Sequence, residues 1–181
     1  MEPRAIRLSR ALYVIFLAGL VAVPALHAGM WLNLDWMLAQ RGQGIVPDYM
    51  ALVDIVNPPP AWARLLGFCV DAVPVAITAV IFWNLAQLFK GYARGEVFTK
   101  GSVARIRRTG QLMLLLACLG PFVAGALSIA LTLGNPPGQR QFAIGLSSAD
   151  FTQIITALVI MVAAYVMDQG RALRDDAELT V

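Results

Sequence analysis

Asp71 stands well inside an apolar stretch of this 181-residue chain, and the single histidine, His27, stands inside another. A carboxylate in such surroundings costs on the order of a few kcal/mol unless it is neutralised or paired. Two partners have suitable spacing. Arg64 lies seven residues before Asp71, two turns along the same helical face. His27 lies at a similar depth from the end of its own run. A His27–Asp71 pair relays protons or responds to pH near neutrality; the competing readings are a polar clamp between two helices and a ligand site. Asn84 and Gln87, one turn apart, are two more intramembrane polar candidates, suited to bonding a neighbouring helix or capping carbonyls. Nucleophilic catalysis needs a nucleophile beside a base. Ser128 with His27 is a conceivable dyad, but no motif surrounds either residue. No catalytic residue is assigned, and a non-enzymatic protein is expected. Cys69 and Cys118 fall in different runs and read as two small buried hydrophobes. One histidine and two scattered cysteines make no metal constellation, and no cofactor is expected.

The elements that must position these residues are four apolar runs: 11–34, 65–89, 111–133 and 151–167. Each is about long enough to cross a bilayer, which takes ~20 helical residues. Hydrophobic residues make up 59% of the chain and charged ones 14%, against about 25% charged in a soluble domain. The runs lack the polar stripe of a soluble bundle. The fold class is therefore all-α integral membrane, a four-helix transmembrane bundle in a single domain. Eleven of the fourteen lysines and arginines lie in the N-terminal tail, the 90–110 connection and the 168–181 tail. The positive-inside rule then gives an N-in/C-in topology, with 90–110 as a cytoplasmic loop. Trp31, Trp36, Trp62, Trp83, Tyr92 and Tyr165 lie near run ends and read as an aromatic belt. The net charge of +3 is thus a topology signal, and no direct nucleic-acid binding is expected. The first run also competes with a cleaved signal peptide, given three arginines and Pro24-Ala25-Leu26-His27-Ala28. Its continuation to Leu34 favours a retained span.

The connections carry weaker signals. Asn57-Pro58-Pro59-Pro60 cannot propagate a helix and delivers the chain rigidly to the second span. Gly134-Asn135-Pro136-Pro137-Gly138 opens the other outer connection. Gln141–Leu146 has strand character, and pairing with Ile45-Val46 would build a small extracytoplasmic cap from the two outer loops. Ser147 or Ser148 supplies an N-cap for the fourth span, with Asp150 in its first turn. Pro24, Pro74 and Pro121 interrupt the first three spans. Gly120, Ala124, Ser128 and Thr132 form a helix-packing stripe of small residues. It is expected to pack within the bundle, with a homo-oligomer contact as the alternative.

Outside the spans the most distinctive segment is Gly95–Gly110. Gly95 suits a turn and Thr99 an N-cap. Arg105, Arg107 and Arg108 form a basic face that either anchors at an anionic leaflet or docks a protein. The docking candidates are Gly95, Glu96, Phe98, Thr99, Arg105, Arg107 and Arg108. The acidic residues of the tail, Asp168, Asp175, Asp176 and Glu178, are suited to binding this basic loop. The stretch Gly95-Glu96-Val97-Phe98-Thr99 with Arg107-Arg108-Thr109-Gly110, and the tail Gln169-Gly170-Arg171-Ala172-Leu173 with Glu178-Leu179-Thr180-Val181, resemble the bacterial domain-of-unknown-function 2975 membrane proteins. That family commonly has an acidic residue where this chain has Gly101, which implies weaker capping here. The resemblance implies a four-span protein of the bacterial cytoplasmic (inner) membrane without assigned activity. Its members are frequently encoded beside a small helix-turn-helix regulator. The leading expectation is a regulatory or sensory membrane protein whose cytoplasmic face docks a small DNA-binding regulator. The alternative is a transporter-like or toxin-protection protein acting as an oligomer.

Overall fold

The computed structural model describes residues 3–40, 53–97, 99–145 and 148–179, with side chains between residues 4 and 173. Ile45-Val46, Phe98, Leu146 and Ser147 lie outside the described residues, as do the side chains of Asp175, Asp176 and Glu178. Five helices are described: α1 (Pro3–Leu32), the short α2 (Leu34–Ala39), α3 (Ala61–Tyr92), α4 (Lys100–Thr132) and α5 (Ser148–Leu179). The four long ones are long and apolar enough to cross a membrane. Each extends beyond its apolar run at one end or both. The connection between α3 and α4 is consequently a short turn, and α5 continues beyond Met167 as one helix. At that turn Gly95 takes φ +88°, a left-handed conformation that glycine adopts without steric cost. Thr99 then caps α4, its side chain accepting from the Ser102 N–H at 3.1 Å.

Packing follows chain order. α1 lies against α3, α3 against α4, and α4 against α5. Among the described residues no Cα atoms of α1 and α5 come within 8 Å, so the bundle is open on that side. The buried residues are mostly small. Large apolar side chains such as Val21, Phe122, Ile155 and Val162 are exposed, as expected where hydrocarbon rather than protein covers a helix. Glycines allow the close approaches: Gly19 receives the Phe82 ring, Gly67 the Trp31 indole, and Gly110 the Met161 side chain and Ala157 carbonyl. One buried cluster joins Trp31 and Leu34 to Leu127 and Leu131.

The antiparallel register of α1 and α3 is regular. The contacting pairs His27–Asp71, Trp31–Gly67 and Phe16–Phe82 all have residue numbers totalling 98. Pro24 and Pro74 total 98 too, so the two prolines sit level with one another. Measured from the ends of α3 and α4 at Ala61 and Thr132, Pro74 lies ~20 Å along its helix and Pro121 ~17 Å along its own.

The end of the bundle that carries α2 and residues 53–60 and 134–145 is the loop end; the opposite end holds the α3–α4 turn. At the loop end Asn135 is buried and ties the two connections together. Its Oδ1 accepts from the Val56 and Asn57 N–H groups, and its Nδ2 donates to the Asp54 and Gln139 carbonyls. No strand occurs among the described residues. Residues 141–145 instead descend along α4: the Gln141 N–H donates to Thr132 Oγ1 and the Ala143 N–H to Ser128 Oγ. Phe142 and Ile144 rest on Gly125. Asp150, in the first turn of α5, lies beside Gly120, about 18 Å below the loop end of α4. The fourth column of the bundle is therefore composite, an extended segment followed by a helix.

Candidate functional site between the first two spanning helices

Asp71 lies ten residues into α3, ~15 Å from its loop-end start. Its Oδ2 is shared by two donors from α1. The Trp31 Nε1–H donates at 3.1 Å, and His27 Nδ1 lies 3.3 Å away. His27 and Trp31 are four residues apart, so they stack on one helical face. Phe68, one turn before Asp71, stacks on the imidazole with centroids 4.8 Å apart. The three polar groups are thus held by two helices in fixed register. Both α1 residues are buried, His27 at 8% and Trp31 at 7% exposure.

With Nδ1 against a carboxylate oxygen, the proton of a neutral imidazole belongs on Nδ1. Nε2 is then a lone-pair acceptor. That atom is buried and has no hydrogen-bond partner, a state that costs about 1–3 kcal/mol. Protonation turns the same atom into a donor and places a cation beside Asp71.

The sequence candidates separate clearly. His27 and Asp71 meet. Arg64 does not reach Asp71: it forms a bidentate pair with Asp35 at 2.7 and 2.8 Å and donates to the Pro59 carbonyl. Asp35 is held below the ordinary carboxylate range, chiefly by those hydrogen bonds. Trp31, expected in the interfacial belt, is a buried partner of Asp71; its spacing of one turn from His27 was the available signal. Asn84 is buried and bonds the Val80 carbonyl of its own helix rather than a neighbour; Gln87 is half-buried one turn on. Ser128 is committed to the Gly125 carbonyl and the Ala143 N–H, so the described residues hold no Ser128–His27 dyad. Gly120, Ser128 and Thr132 face the chain's own 141–150 segment, and Ala124 is half-buried beside them. Cys69 and Cys118 are exposed rather than buried. No group of three or more metal-ligand residues occurs among the described residues.

At the turn end the basic and acidic segments touch. Arg107 pairs with Asp168 at 3.3 Å, and Asp168 also takes Arg171 at 3.1 Å. Arg108 is exposed and Arg105 half-buried. The Ser102 hydroxyl donates to the Glu96 carbonyl, closing the turn.

Residues 50–181, well over half of the chain, match the family described as protein of unknown function DUF2975. The chain belongs to the DUF2975 family. No curated protein and no solved structure matches it. In this DUF2975 protein Asp71 falls inside the matched region, while His27 and Trp31, on α1, fall outside it.

Proposed function

We propose that this DUF2975 protein is a non-enzymatic sensory or regulatory protein of the bacterial inner membrane, with both termini in the cytoplasm. The observation that carries the reading is the His27–Asp71–Trp31 cluster, with its buried and unpartnered Nε2. A histidine is the side chain suited to switching near neutral pH. The charged group facing it from α3 is Asp71; Arg64 and Asp35, further toward the loop end, neutralise one another. The output surface in this reading is the turn end, where Arg107 meets Asp168 beside Arg105 and Arg108. A small helix-turn-helix DNA-binding regulator would dock there, competing with the Arg107–Asp168 pair. The test is co-purification of the intact protein from its own membranes with a small helix-turn-helix regulator, and transcript profiling after deletion of 168–181. Recovery that changes with pH and is lost in His27→Gln supports the reading. No recovery, together with unchanged transcripts, refutes it.

The level prolines Pro24 and Pro74, beside an intraspan carboxylate, favour transport by an oligomer as the second reading. Liposome flux that disappears in Asp71→Ala would replace the first reading with this one.

A further inference from the structure

A groove of about 350 Å³ runs along the outside of the α1–α3 pair, lined by Ala28, Trp31, Leu32, Arg64, Leu65 and Phe68. Its walls are apolar, and Leu32 and Leu65 are largely exposed, so it opens sideways toward the region that hydrocarbon fills. Its polar end is Arg64. Exposed Trp36 and Trp62 stand at the same level, where indoles favour the headgroup zone.

The Arg64 guanidinium uses three of its five N–H groups, two on Asp35 and one on the Pro59 carbonyl. Two donors are left over. The Asp35 carboxylate is largely exposed, and each oxygen keeps a free lone-pair direction. A cation and an anion are therefore presented side by side at the mouth of an apolar trough. The complement of that arrangement is a molecule with an apolar chain and a headgroup of both signs.

We propose that this groove binds one phospholipid whose headgroup carries a phosphate and a primary amine, as in phosphatidylethanolamine. The phosphate takes the spare Arg64 donors, the ammonium donates to Asp35, and an acyl chain lies on Trp31 and Phe68. A choline headgroup cannot donate to Asp35, and an anionic glycerol headgroup brings no cation to it. Selectivity thus follows from Asp35 and grip from the groove. This requires the chain to sit in a bilayer and is independent of the sensory reading, since Trp31 and Phe68 are used here only as surfaces.

Native mass spectrometry of the full chain tests it, with ethanolamine, choline and glycerol phospholipids of identical acyl chains. One ethanolamine lipid should be retained about tenfold better than either competitor, the order of one hydrogen bond to a charged group. Asp35→Asn, a conservative change at an exposed site, should abolish the preference over choline while leaving the fold intact. Ala28→Phe should fill the groove and lower retention of all three lipids. Equal retention of the three, a preference for the glycerol lipid, or an ethanolamine preference that survives Asp35→Asn would overturn the proposal.

Discussion

Replacing Asn135 with alanine should release the two loop-end connections from each other. The side chain makes four hydrogen bonds: Oδ1 accepts from Val56 N–H at 2.9 Å and Asn57 N–H at 3.3 Å, and Nδ2 donates to the Asp54 carbonyl at 2.7 Å and the Gln139 carbonyl at 3.1 Å. At a net ~0.5–1.5 kcal/mol each, the set is worth roughly 2–6 kcal/mol. Its partners belong to exposed residues, so water re-solvates them and the lower bound of about 2 kcal/mol applies. That is roughly a 30-fold rise in the local opening equilibrium. Hydrogen exchange of a peptide containing Val56 and Asn57, measured on the protein in nanodiscs, reads it directly. Asn135→Asp keeps an acceptor for both amides but sets a carboxylate oxygen against two carbonyls. It should protect Val56 and Asn57 better than alanine does while still loosening Gln139. Unchanged exchange at Val56 and Asn57 in Asn135→Ala would show that Asn135 does not hold the two connections together.

At Gly67, an added Cβ would meet the Trp31 ring, with Cζ3 at 2.8 Å. Gly67→Ala should therefore cost about 1–3 kcal/mol by overpacking and displace the indole from Asp71. Gly29→Ala, with nothing within 4 Å, is the neutral control; a tryptophan emission spectrum with Trp36, Trp62 and Trp83 replaced by phenylalanine checks both. Ser128→Ala leaves the Ala143 N–H unmet and should destabilise by about 1–3 kcal/mol, seen as faster exchange of residues 141–145; equal rates would contradict the clamp. For the Asp35–Arg64 pair, the folded pKa of Asp35 is lowered. Its stabilisation is therefore complete above the ordinary carboxylate pKa and is lost as pH falls through the lowered folded value. The acid limb of the melting profile should flatten in Asp35→Asn, and an identical profile would remove this pair from the account.

Much of this was legible in the sequence because apolar runs make charges conspicuous. Asp71 and His27 were singled out by their surroundings, and their matching depths came from counting residues to the run ends. Gly95 and Thr99 were legible because turn and cap chemistry is local. Trp31 was not, because an indole near a run end satisfies the belt pattern equally well. Only the register that sets it on Gly67 reveals that it faces inward. Ser128 and Thr132 were read as small packing residues, since size shows in a stripe and hydrogen-bond partners do not. Their hydroxyls hold backbone 15 and 9 residues away, respectively. Asn135 looked like an ordinary turn residue, and its partners lie about 80 positions back. Arg64 was weighed only against Asp71, and its long side chain instead reaches Asp35 on α2, 29 positions back in the chain.

The level placement of Pro24 and Pro74 has a mechanical consequence. Each proline removes one rung of its helix's hydrogen-bond ladder, and Pro121 removes a third at nearly the same height. The molecule's softest cross-section is therefore a single transverse plane. The Trp31–His27–Asp71 cluster lies on one side of it, and the Phe16–Phe82–Phe89 ring stack lies on the other. Torque applied at one end of the α1–α3 pair would be taken up as rotation about that plane, with each half moving as a lever.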